Sequence, residues 1–186
     1  MKLEKNVLYN SQINDVAFGL IPRDHLVKIL ANGRQCGVLL EYHIAEMFED
    51  TDTPEKQGAS YDLINPEGAG TIQAKTFKML PDETFKRGKP KGLKKRDSKR
   101  VFTTKSTLWD QNKEKGASTR TGKSVEKIIE DYFEEYDCFM YIDISQMNEL
   151  KFRFIVVDTS YVKSVHEGGF ISINDILNKV EKEVTV

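Results

Sequence analysis

The chain has 186 residues, enough for one domain with a sizeable core, and its 39% hydrophobic and 31% charged residues are the composition of a soluble globular protein. No apolar run reaches the length of a membrane span, and the opening M-K-L-E-K-N-V-L-Y-N lacks the apolar core of a secretory signal. The formal net charge of −1 hides a strong asymmetry: residues 1–85 carry 8 Lys+Arg against 13 Asp+Glu, residues 86–123 carry 14 against 3, and residues 124–186 carry 6 against 13.

A central segment of +11 between two acidic arms points to an anionic partner, nucleic acid first. Cys36 and Cys138 have neither disulfide nor zinc spacing, so both read as small core residues and the natural compartment is a reducing cytoplasm.

Taken in order, residues 1–20 are mixed, and L-Y-N-S-Q-I-N-D-V-A-F reads as a short arm or an opening helix. Pro22-Arg23-Asp24 starts a helix that Asn32-Gly33 stops. A second helix spans about Gln35 to Phe48, with Leu40, Ile44, Met47 and Phe48 at helical spacing. Glu41 lies at the edge of that apolar stripe, where an acid needs a partner, and Glu46 lies on the wet face. After the polar connection 50–59, the stretch S-Y-D-L-I-N-P-E-G-A-G-T-I-Q-A-K-T-F reads as two short strands around a tight Asn-Pro-Glu-Gly-Ala-Gly turn.

Centring the turn between Glu67 and Gly68 sets Asp62 opposite Gln73, and period-2 alternation puts Gln73 and Lys75 on the face where Asp62 projects. An acid, an amide oxygen and an amine converging on one point suit a metal ion and a water. Downstream, F-K-R-G-K-P-K-G and L-K-K-R-D-S-K-R form no regular element, and V-F-T-T-K-S-T-L-W is expected as a third strand or extended edge. A helix follows from Thr121 or Ser124, then a buried strand Cys138–Ile144, a strand Lys151–Asp158 and a final short helix Ile173–Lys182. This order predicts a single domain over 1–186 of α/β class, a mixed sheet covered by helices, with a basic insertion at about 86–123.

Glu41 on a helix, Asp62 on a strand, and Gln73-Ala74-Lys75 on the paired strand resemble the PD-(D/E)xK nuclease superfamily, which includes most type II restriction endonucleases. The resemblance covers roughly residues 35–78. Tyr61 stands where the pattern has proline, and Gln73 where it has its second acid. It implies a restriction-endonuclease-like αβββαβ core and a Mg2+-dependent endonuclease that hydrolyses double-stranded DNA to 5′-phosphate and 3′-hydroxyl ends.

Asp62 would anchor the metal, the amide oxygen of Gln73 and the carbonyl of Ala74 would join it, and Glu41 would act directly or through a water. Lys75 would orient or deprotonate the attacking water and offset transition-state charge. The type II reading also implies a homodimer, since a two-fold symmetric site needs two active sites. The other functions compatible with the same residues are a structure-specific phage or repair nuclease and an inactive DNA-binding module.

Lys89, Lys91, Lys94, Lys95, Arg96, Lys99, Arg100, Arg120 and Lys123 are the candidate DNA contacts; Arg96, Arg100 and Arg120 suit either phosphates or guanine edges. The run A-S-T-R-T-G-K-S at 117–124 matches a relaxed phosphate-loop string, but polar D-Q-N-K-E-K-G precedes it where a buried strand is needed, so no nucleotide cofactor is expected. His25, His43 and His166 share no ligand spacing.

Overall fold

The structure, a computed structural model, describes residues 1–17, 19–31, 33–54, 61–78, 100–103, 130, 133–166 and 170–186. Its centre is a six-stranded mixed sheet in the order β2-β3-β5-β6-β1-β8. The strands are β1 (Val7–Gln12), β2 (Leu63–Asn65), β3 (Gly70–Phe77), β5 (Cys138–Asp143), β6 (Lys151–Asp158) and β8 (Lys182–Thr185). Pairings β3/β5 and β1/β8 are parallel, whereas β2/β3, β5/β6 and β1/β6 are antiparallel.

The fold class is therefore α/β, as expected. A separate two-stranded ladder joins β4 (Arg100–Thr103) to β7 (Phe170–Ser172). That corrects the expectation for the third strand, which here pairs outside the main sheet.

Side-chain alternation divides the sheet into two buried faces. Tyr9, Ile72, Ala74, Met140, Ile142 and Phe154 meet Cys36, Leu40, Ile44 and Phe48 of α2 (Gly33–Met47) and its C-terminal end on one side. Leu8, Phe139, Tyr141, Ile155 and Val157 meet Val162 of α3 (Thr159–Val165) and Ile173 and Ile176 of α4 (Ile173–Leu177) on the other. Each such side chain contributes roughly 1.5–3 kcal/mol by leaving water. The preceding helix α1 (Arg23–Leu30) begins at Pro22, whose carbonyl accepts the first helical bonds from the N–H groups of His25 and Leu26.

Both ends of the chain depart from the sequence expectations. Residues 7–12 form neither an arm nor a helix; they are strand β1, inside the sheet between β6 and β8. Val7 and Tyr9 point into one core and Leu8 into the other, so the strand is apolar on both faces and shows no alternating signature. The final helix stops at Leu177, and Lys182–Thr185 continues as β8, an exposed charged strand at the sheet edge. Helix α3 was not foreseen. Of the helix expected from Thr121 or Ser124 through Tyr136, residues 130 and 133–136 are described: Glu130, Phe133 and Glu134 are helical, and Glu135 and Tyr136 already lie past the helix.

The β2–β3 turn is built as the sequence indicates. Asn65 O accepts Gly68 N–H at 3.2 Å around Pro66 and Glu67. Asn65 is completely buried, its Nδ2 donating to Asp50 O and Thr51 Oγ1 at 3.1 Å and its Oδ1 accepting Ala69 N–H at 2.6 Å. Gly70 has φ +67°, and a Cβ there would lie 2.3 Å from Asp137 Oδ2, the atom that accepts Thr71 N–H. Asn65→Ala strands three buried polar partners and is expected to cost about 2–4 kcal/mol, lowering Tm by about 5–10 °C in calorimetry. An unchanged Tm would show that the turn holds itself without this side chain.

Candidate active site

The observed register pairs Leu63 with Ile72 and Asn65 with Gly70, and extending it by one residue sets Asp62 across from Gln73. Asp62 lies one residue ahead of β2 and not within it, although its N–H still donates to Ile72 O at 3.0 Å. Because β2 begins only at Leu63, Ala74 N–H on β3 has no strand beside it among the described residues. The Asp62 carboxylate takes its place: Oδ2 accepts Ala74 N–H at 2.8 Å and also accepts from Gln73 Nε2. The short strand is thus what fixes the carboxylate against β3.

On β3, Gln73 and Lys75 share a face, next to Phe139 and Tyr141 of β5 in register, while Ile72 and Ala74 point toward α2. Helix α2 packs on β3 with Leu40 and Ile44 fully buried and Glu41 at the boundary of that stripe. Val38, three residues before Glu41 on the same helix, is 60% exposed, so the buried stripe does not extend to it. Glu41 Oε1 lies 3.6 Å from where a Cβ on Gly37 would stand, so the absence of a side chain there leaves open space beside the carboxylate.

Electrostatics tie the three ionisable groups together. Burial pushes the Glu41 carboxyl up to about 7, with the negative charge of Asp62 adding to the rise and Lys75 opposing it. Burial also raises Asp62, against the Ala74 N–H bond, the Lys75 charge and the Gln73 bond, which all favour its ionised form. Lys75 is lowered by burial and held up by Asp62 and Glu41. Glu41 and Lys75 each respond to both other groups and Asp62 responds to Lys75, a pattern concentrated at functional sites.

Tyr136 was missed by sequence reasoning, because a tyrosine just past the end of a helix carries no chemical signal. Its hydroxyl is raised by burial first, then by its bond to Glu135 at 3.1 Å, with Asp62 contributing. Its ring packs edge-on to Phe139 at 5.9 Å.

The donor set available to a cation consists of two carboxylates, Asp62 and Glu41, and two neutral oxygens, those of the Gln73 amide and the Ala74 carbonyl. Among the described residues no group of three or more His, Cys, Asp or Glu could hold a metal. Hard oxygens in a partly buried site fit magnesium, which keeps part of its water shell. They do not suit a soft-ligand metal. As oriented, Gln73 presents nitrogen and not oxygen to Asp62.

Of the basic candidates, Arg100 opens β4. Lys89, Lys91, Lys94, Lys95, Arg96, Lys99, Arg120 and Lys123 lie outside the described residues, as does the 117–124 string. Among the described residues no helix is long and apolar enough to cross a membrane. Compared with protein-family models, with curated proteins and with solved structures, the chain matches none.

Proposed function

We propose that this chain is a magnesium-dependent double-stranded DNA endonuclease of the PD-(D/E)xK type, acting as a type II restriction enzyme. The observation that carries the reading is that Asp62, Gln73 and Lys75 lie together where β2 begins beside β3, with the helical Glu41 in electrostatic reach of Asp62 and Lys75. The +11 segment at 86–123 supplies the charge expected of a DNA surface.

Asp62 and Glu41, joined by the oxygens of Gln73 and Ala74, would hold the ion, with Asp62 as the anchor. Bound magnesium supplies charge neutralisation at the phosphate and acidifies a water. The chain's own residues do the rest. Burial lowers the proton affinity of the Lys75 amine, so Nζ is suited to orient the attacking water and to accept its proton. Protonated Nζ then offsets the negative charge that gathers on the phosphate oxygens. Attack in line with the 3′-oxygen breaks that P–O bond, the departing oxygen takes a proton from solvent water, and 5′-phosphate and 3′-hydroxyl ends result.

The test is digestion of a mixed set of supercoiled plasmids with magnesium, followed by end sequencing. Discrete bands are expected from the wild type. Asp62→Ala should abolish cleavage while keeping fluorescence-anisotropy binding to duplex DNA; full activity in that variant would refute the site. Smeared or junction-selective products would move the reading to a structure-specific phage or repair nuclease. Gln73, which leaves two carboxylates where the resembled pattern has three, favours one further reading, an inactive DNA-binding module. Binding without cleavage under any divalent ion would support it.

A restriction enzyme of this kind works as a homodimer. Val38, Leu39 and Tyr42 are 60%, 55% and 55% exposed on the outer side of α2, the helix that carries Glu41, and offer an apolar face to a second copy. Light scattering should give twice the 21.3 kDa chain mass, and Val38→Asp should halve it. A monomeric wild type would exclude the homodimer.

A further inference from the structure

Gln73 is 8% exposed, so its amide is positioned by protein and hardly by water. Nε2 donates to Asp62 Oδ2 and lies 3.5 Å from the Ala74 carbonyl oxygen, at the long limit of a hydrogen bond. These two oxygens are the ones the proposed function gives to the metal. A carboxylate and a carbonyl are acceptors only, so in the absence of a cation they must face the amide's nitrogen end. With a cation between them, the preference reverses, because the NH2 group would then be pressed against positive charge while the amide oxygen became a ligand. The torsion that exchanges the two ends, χ3 of glutamine, is soft and roughly two-fold.

We propose that Gln73 is an exchangeable placeholder: without metal its NH2 group stands in for the cation toward Asp62 and the Ala74 carbonyl, and metal loading turns the amide over to present Oε1. The inference rests on the nuclease reading and adds what a glutamate at this position could not do. A third carboxylate beside Asp62 and Glu41 would leave the metal-free site with three mutually repelling acids around Lys75. Glutamine satisfies the empty site and the loaded site alike, at the cost of weaker metal binding. Gln73 is in this sense a positioning residue in one state and a ligand in the other.

Nuclear magnetic resonance of the 15N-labelled full chain reads the turnover directly. In EDTA the side-chain NH2 pair of Gln73 should resonate at a hydrogen-bonded shift and exchange slowly with solvent. Titrated magnesium should move that pair to a new position at the same concentrations that shift Asp62 and Glu41. As a second measurement, Gln73→Glu should bind Mn2+ roughly tenfold more tightly by electron paramagnetic resonance and melt lower than wild type in EDTA.

A response of Asp62 and Glu41 with the Gln73 pair unmoved would overturn the placeholder alone. No response of any of the three to magnesium or manganese would overturn the nuclease reading and the placeholder with it. If Gln73→Glu does not fold, the wild-type spectra still decide.

Discussion

Lys75→Ala is expected to lower the single-turnover rate of plasmid cleavage at saturating magnesium by about 10³-fold, with duplex binding retained. The ammonium is held in a desolvated position by Asp62 and Glu41, and removing it takes away both the group that handles the water and the charge that balances the phosphate. Lys75→Arg should rescue little: guanidinium keeps the charge but does not release its proton near neutral pH, and its planar fork does not fit a site built for a point charge. Lys75→Met preserves the stem and removes a buried charge, so its Tm should stay close to wild type and separate lost chemistry from lost folding. A rate within tenfold of wild type in Lys75→Ala would remove Lys75 from the mechanism.

Glu41→Gln is expected to show its largest effect on stability as a function of pH. The carboxyl is raised from its ordinary 4.5 to about 7 in the folded chain. Between those values the unfolded chain has lost the proton and the folded chain keeps it, so stability falls as pH rises through this window and the loss is complete above about 7. Below 4.5 both states are protonated and the difference disappears. The full shift corresponds to at most about 3 kcal/mol, and partial exposure reduces it to about 1–3 kcal/mol.

Without metal, Glu41→Gln should therefore melt about 3–8 °C higher than wild type at pH 8 and nearly level with it at pH 4. Magnesium should narrow the gap by stabilising the wild type more. Cleavage should meanwhile drop about 10–100-fold, the ordinary cost of weakening a metal site. Scanning calorimetry in EDTA across pH 4–8 checks the first part, and parallel curves over that range would contradict the assignment of Glu41 to the site.

The β2–β3 hairpin was legible because its information is local. Asn65, Pro66, Gly68 and Gly70 specify one turn, the turn fixes the register, and the register places Asp62 against Gln73 without reference to the rest of the chain. Helix α2 was legible through its period, and Cys138–Asp143 through its unbroken apolar run. Strand β1 was not, because a strand buried on both faces and ending in Asn-Ser-Gln has neither alternation nor a long apolar run. Strand β8 failed for the opposite reason: at an exposed edge, Lys-Glu-Val-Thr has no apolar face to betray it. The pairing of β4 with β7 joins segments about seventy residues apart, which no local pattern encodes.

The sequence by itself determined which groups stand near one another on the hairpin: Asp62 across from Gln73, and Lys75 two residues on along the same face. It also determined that Glu41 lies at the boundary of an amphipathic helix and that 86–123 is strongly basic. Only the tertiary structure decided that α2 packs on β3, bringing Glu41 within electrostatic reach of Asp62 and Lys75. It alone decided that the late start of β2 hands Ala74 N–H to the Asp62 carboxylate, and that the Gln73 amide turns its nitrogen to the same oxygen. The physical reason is range. Turn geometry and side-chain period act over a few residues and are written in the chain, whereas the charge state of a buried acid and the direction of an amide depend on every group packed around them.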